Sequence, residues 1–135
     1  VVFTDAAVMK DKVWELSNVP DFSFTVTDTA QVTDISFTIR TGSGYPFRNL
    51  WLFVTADAPD GKSISDTLEY NLADEKGNWY GRGPGDIHEL ILPYRSGVFF
   101  PVAGTYRFRI RHGMRVGDLE GVYDFGLRIM KAPGK

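Results

Sequence analysis

The chain has 135 residues, of which 43% are hydrophobic and 24% charged, and its formal net charge is −2; this fits one globular domain of ordinary balance. It contains no cysteine, which excludes disulfides, zinc–cysteine sites, iron–sulfur clusters and thiol nucleophiles from these residues. No apolar run is long enough to cross a bilayer, and the near-neutral charge gives no electrostatic reason to expect nucleic acid as a partner.

The opening "VVFTDAAVM" has neither an initiator Met nor a charged-then-apolar leader, as expected of a chain that begins downstream of a removed targeting segment. "MKDKVWEL" follows as the best helical candidate, two turns from Met9 to Leu16 with Val13 and Leu16 on one side. Period-two alternation then takes over, in keeping with an aromatic content of 14%. "FSFTVT" sets Phe22, Phe24 and Val26 against Ser23, Thr25 and Thr27, and "ISFTIRT" sets Ile35, Phe37 and Ile39 against Ser36, Thr38 and Arg40. "NLWLFVTAD" is apolar on both faces, the pattern of a central strand covered on two sides. "APDGK" supplies Pro, Asp and Gly in the order of a tight turn. "DIHELILPY" reads as a strand ending near Pro93; "TYRFRIRH" alternates Tyr106, Phe108 and Ile110 with Arg107, Arg109 and Arg111; "VYDFGLRIM" places Tyr123, Phe125, Leu127 and Ile129 on one face. Strands about every 8–12 residues, separated by turn signals, predict an all-β, single-domain antiparallel β-sandwich, jelly-roll-like, over residues 1–135. Its core should gather Phe22, Phe24, Val26, Ile35, Phe37, Ile39, Leu52, Val54, Phe108, Ile110, Phe125, Leu127 and Ile129, because a slip by one residue would bury the arginines instead.

The least ordinary stretch is "DTLEYNLADEKGNWYGRGPGD", which ends in glycines at positions 81, 83 and 85 around Arg82 and Pro84. A dinucleotide fingerprint needs G-x-G-x-x-G between a strand and a helix. Here the spacing is G-x-G-x-G, a strand follows, and no P-loop Lys-Ser/Thr pair is present, so no nucleotide is expected. Alternate glycines serve a tight turn or a close approach of backbone, which predicts a rigid turn held by Asp86 and by packing of Trp79.

Catalytic and metal chemistry find little support. His88 and His112 lie in different predicted strands, and alternation puts Asp86 beside His88 but Glu89 on the opposite face. "DAPDGKSISD" lacks the ligands of an EF-hand loop, and no serine has a G-x-S-x-G context. No catalytic, cofactor or metal residue is assigned. Arg107, Arg109 and Arg111 share one face of one strand; the plain reading is a solvated face pairing across strands with acids such as Glu69 or Asp124, and the functional one a basic stripe for an acidic partner or an anionic sugar.

Taken together, "YPFRNLWLF" with Arg40 upstream, "PDGK", "DTLEYNLADEKGNWYGRGPGD", "FPVAGTYRFRIRHGMR", "GVYDFGLRI" and the early "FTVTDT" resemble the GldH family of gliding-motility lipoproteins of the Bacteroidota. The pieces occur in order along nearly the whole chain. The resemblance implies a signal peptide and a lipidated N-terminal cysteine upstream of Val1, hence a membrane held through an anchor outside this sequence. It implies a place in the cell envelope, periplasm-facing or surface-exposed, within gliding machinery linked to type IX secretion. Protein partners and no enzymatic activity go with it. The positions of the family pattern are Arg40, Tyr45, Pro46, Asn49, Asp66, Thr67, Trp79, Gly81, Gly83, Gly85, Asp86, Met114 and Arg115; Asp66 and Asp86, bonded to Arg115 or Arg82, would form a polar cluster that is either a brace or a docking surface. The alternative is a carbohydrate-binding module using exposed rings among Trp51, Trp79, Tyr80 and Tyr94.

Overall fold

A computed structural model describes residues 3–76, 78–80 and 87–132. Among the described residues ten strands follow one another: β1 (Phe3–Val8), β2 (Val13–Glu15), β3 (Asp21–Val26), β4 (Thr33–Thr41), β5 (Asn49–Asp57), β6 (Ser63–Asn71), β7 (His88–Val98), β8 (Gly104–His112), β9 (Asp118–Glu120) and β10 (Val122–Lys131). They form two four-stranded antiparallel sheets, β1-β10-β4-β7 and β3-β8-β5-β6, and a short β2-β9 ladder at one end. The long strands alternate between the sheets along the chain, except where β5 and β6 form a hairpin. That path is the double Greek key of a jelly roll, and the all-β sandwich is as the alternation requires.

The inward faces meet in one core. All thirteen residues expected there are buried, joined by Trp14, Leu50, Leu72, Leu90, Leu92, Tyr106, Leu119 and Val122 among others. "APDGK" closes the β5–β6 hairpin: Ala58 N–H donates to the Lys62 carbonyl at 2.8 Å, and Asp60 Oδ1 accepts from Lys62 N–H at 3.1 Å. β7 runs on through Pro93 to Val98, because it is an edge strand, where a missing N–H breaks no central ladder.

Three local expectations are corrected. Met9–Leu16 is not a helix: Lys10–Lys12 makes one 3-10 turn, with Asp11 and Lys12 at positive φ, and Val13–Glu15 pairs with Asp118–Glu120. Two helical turns are marginal alone, whereas a strand sends Trp14 wholly inward and leaves Leu16 exposed. β5 is central but covered on one face only. Leu50, Leu52 and Val54 are buried, while Trp51 and Phe53 each retain 37% of their surface on the outer face. In β10 the register shifts between Val122 and Asp124, so Val122 points inward and Tyr123 lies half-buried under the Lys12 ammonium, 5.2 Å from its ring centre.

The edge strands β6 and β7, one from each sheet, are tied by side chains. Tyr70 Oη donates to the Pro93 carbonyl at 2.8 Å. Asp66 accepts from Tyr94 Oη and, at 2.9 Å, from the Arg95 guanidinium. These partners, the tyrosine first, hold the Asp66 carboxyl below its usual range, and burial pushes the Tyr94 hydroxyl up to about 12. Among the described residues Asp66 therefore joins the two sheets through Tyr94 and Arg95, and Arg115 is not among its partners. Arg82 and Asp86 lie outside the described residues.

A candidate docking face on the outer side of one sheet

The outer face of β3-β8-β5-β6 has two unlike halves. At one end Arg107 clasps Asp21 through both carboxylate oxygens, with Nε 2.9 Å from each, and Arg109 meets Asp57 at 2.7 Å. These acids, rather than Glu69 or Asp124, neutralise two teeth of the arginine row; Asp124 instead pairs with Arg40 at 2.5 Å on the outer face of the other sheet. Such exposed pairs contribute little each to stability.

The other half is built by period two. β5 sends Asn49, Trp51 and Phe53 outward, and register sets them opposite Asn71, Glu69 and Thr67 of β6. Asn49 Nδ2 donates to Glu69 Oε2 at 2.8 Å. From β8, Arg111 carries no carboxylate partner among the described residues; its guanidinium lies 4.9 Å above the Phe53 ring, a cation–π contact that leaves the charge in water. The chain then turns over the two rings. Gly113 N–H donates to the Trp51 carbonyl at 2.7 Å, and Met114 Sδ accepts from Trp51 N–H at 3.2 Å. A Cβ on Gly113 would lie 2.8 Å from the Phe53 ring and 3.2 Å from Trp51 Cβ, so glycine is what lets this segment sit so close. The result is a strip of Trp51, Phe53, Met114 and Arg111, edged by Asn49, Thr67 and Glu69.

Beneath and beside the strip the packing is aromatic. Tyr45 is buried and its Oη donates to the Asn49 carbonyl at 2.5 Å; burial pushes that hydroxyl upward in pKa. The Tyr45 ring meets Trp79 edge-on at 5.8 Å, and Trp79 stacks on His88 at 5.4 Å. His88 thus serves packing, and among the described residues no group of three or more His, Asp or Glu side chains is placed to hold a metal ion. Asp74 anchors the adjoining turn, accepting from Lys76 and Asn78 N–H at 2.8 and 2.9 Å.

Of the pattern residues, Asn49, Thr67 and Met114 therefore share one face. Arg115 is exposed in the following loop, Tyr45 and Trp79 support the face from within, and Arg40 and Asp66 stand elsewhere. Gly81, Arg82, Gly83, Gly85 and Asp86 fall outside the described residues, and the rigid-turn expectation with them. Trp51, Phe53, Glu69 and Arg111 are additions. Their signal lies in the pairing: a covered outer face would set apolar residues opposite Trp51 and Phe53, but β6 supplies Glu69 and Thr67. Among the four rings proposed for sugars, Trp79 and Tyr94 are built into the packing, Trp51 is partly exposed, and Tyr80 is 61% exposed in a polar recess with Asn49, Glu69 and Asn71.

His112 lies fully buried under the strip, edge-on to Trp14 at 5.4 Å; its Nδ1 accepts from Met114 N–H at 3.3 Å and its Nε2 has no hydrogen-bond partner among the described residues. Burial lowers its pKa below the ordinary value. The unfolded chain therefore binds the proton first. Its contribution is complete above about pH 6.5, the unfolded value, and is lost as pH falls through the lower folded value. Carboxylates held low in pKa, such as Asp21 and Asp66, lose theirs only below about pH 4. Between pH 7.5 and 5, wild-type Tm is expected to fall more steeply than that of His112→Phe; parallel curves would contradict the assignment.

Residues 1–129 match the family model described as GldH lipoprotein. The chain is 36% identical over 126 residues to the gliding motility lipoprotein GldH homolog of Christiangramia forsetii, covering 88% of this chain and 78% of that protein. To the gliding motility lipoprotein GldH of Flavobacterium johnsoniae it is 35% identical over 123 residues, covering 86% of this chain and 76% of that one. A solved chain of infectious bursal disease virus, Gx strain, aligns over 98% of this chain and 31% of its own length with a TM-score of 0.39 and 11% identity, too low to carry an argument.

Proposed function

This chain belongs to the GldH lipoprotein family, and from that membership we propose that it is a non-catalytic, lipid-anchored component of a cell-envelope assembly of the gliding-motility kind, linked to type IX secretion, which it joins by docking a protein partner. The observation that carries docking is the strip of Trp51, Phe53, Met114 and Arg111 with its polar edge. Trp, Met and Arg are the side chains enriched at the centres of protein interfaces, and a polar rim around them is what a wet, separable interface uses. Glycan capture is the second reading, supported by the exposed Tyr80 in its polar recess with Asn49, Glu69 and Asn71.

The test uses the acylated protein in its own cells, with a photo-crosslinking residue at position 53 or, as control, at position 25 on the same face of β3. A discrete protein adduct is expected from position 53 and not from 25. Phe53→Ser should weaken retention of that partner at least tenfold, about 1.4 kcal/mol, while Tm moves by only a few degrees because the ring is half in water. Adducts at neither position would end the docking reading, and glycan binding lost on Tyr80→Ala would favour the second. Cells fed a palmitate analogue should label the protein, since stable anchoring needs more than one acyl chain; an unlabelled protein would refute the anchor.

A further inference from the structure

At the end of the sandwich opposite the Trp51 strip, the two sheets part around a cavity of about 490 Å³, within the range of about 300–1,000 Å³ usual for small-molecule sites. Its floor is the core itself, Ile35, Phe100 and Phe108, and two apolar side chains stand at its mouth, Ile64 and Phe99, each 59% exposed. Exposed apolar rims of this sort mark sites of membrane or partner contact. The charges at the mouth cancel. Arg95 is paired with Asp66 and Asp57 with Arg109, while Lys62 and Asp60 stand two residues apart in one turn. Among the described residues that line it, no net charge selects a charged headgroup, and the walls recognise hydrocarbon.

The position of the N-terminal strand says where that hydrocarbon comes from. Phe3, the first residue of β1, lies 5.3 Å from Phe24, and Phe24 lies 5.2 Å from Phe100 in the cavity wall. β1 therefore begins at this same end. In a protein anchored through its N-terminal side, as proposed above, the mouth faces the bilayer. We propose that this cavity takes up an acyl chain of a bilayer phospholipid, with Phe99 and Ile64 dipping into the membrane surface. The inference rests on the lipid-anchored reading but not on the docking of a partner at the far end.

The test separates the two. The 135-residue chain, expressed without acylation, carries methyl labels on Ala, Ile and Val and is mixed with phosphatidylcholine–phosphatidylglycerol bicelles. Shifts and acyl-chain cross-peaks are expected at Ala56, Ala58, Ile35 and Val98, and none at Val8 or Val116 at the other end. Phe99→Trp should show a blue shift and quenching by lipids brominated on their chains. Ala56→Leu should abolish the cross-peaks by filling the cavity, and the exposed change Phe99→Ser should weaken vesicle binding at least fivefold without unfolding. Three results would overturn the proposal. Quenching in the Phe99→Trp variant without cavity shifts would mean surface contact alone. Cavity shifts seen only in the acylated protein would assign the space to its own anchor. A concentration-dependent dimer that protects Phe99 would assign it to a second copy. An anchor reading that fails shows instead as an unlabelled protein in palmitate-fed cells.

Discussion

Gly121→Ala is expected to destabilise the protein by about 2–4 kcal/mol, combining about 1 kcal/mol of left-handed strain with about 1–3 kcal/mol of overpacking. Gly121 has φ +79°, and a Cβ there would lie 2.2 Å from the Tyr45 nitrogen and 2.6 Å from the Gly44 carbonyl carbon. Those neighbours are backbone and cannot rotate away. The residue also joins two elements: its N–H donates to the Lys12 carbonyl and its carbonyl accepts from Gly42 N–H, both at 2.9 Å. Moving the 42–45 segment would drag Tyr45 from the Asn49 carbonyl it holds, so the Trp51 strip should loosen with the fold. Urea unfolding measures this directly. Gly117→Ala, where no atom lies within 4 Å of the added Cβ, is the control expected to stay near wild type. Equal midpoints for both variants would contradict the account.

Trp14→Ala is expected to cost about 3–5 kcal/mol, a fall in Tm of about 10 °C or more for a chain of this size. The indole is fully buried, tilted against Phe125 at 4.8 Å and edge-on to His112 at 5.4 Å, and its Nε1–H donates to the Asn18 carbonyl at 2.8 Å. It closes the core beneath the β2-β9 ladder. Trp14→Phe keeps most of the apolar contact and loses the hydrogen bond, so it should fall between wild type and Ala. A loss below 1 kcal/mol for Trp14→Ala would mean that the β2-β9 end is not part of the cooperative unit.

The strands were legible because alternation records which face of each is buried, and a one-residue slip in β8 would have buried Arg107, Arg109 and Arg111 in place of Tyr106, Phe108 and Ile110. Partnership was not legible. Arg107 meets Asp21, 86 positions away, and Arg109 meets Asp57, 52 positions away. Which acid faces which arginine depends on strand order, and alternation is silent about that. The bulge at Tyr123 and the strand at Trp14 were hidden for a related reason: both are settled by what the neighbouring strand offers. In the candidate site, Asn49, Thr67 and Met114 were singled out by pattern alone, and the pairing of β5 with β6 and β8 brings them to one face. Trp51 and Phe53 were misread as doubly covered because apolar character in a strand does not say whether anything lies on top of it.

β1 is an edge strand whose six residues pair in unbroken register with β10 alone, from Phe3 opposite Ile129 to Val8 opposite Asp124. Ladder hydrogen bonds run perpendicular to the strands they join. Tension entering at Phe3 along the strand axis, resisted at the far end where Trp51 stands, therefore loads the whole ladder in shear. Its bonds must yield together, whereas a pull across the sheet would peel them one after another. The sandwich would then serve as a stiff coupling, gripped at one end through β1 and at the other through its aromatic strip.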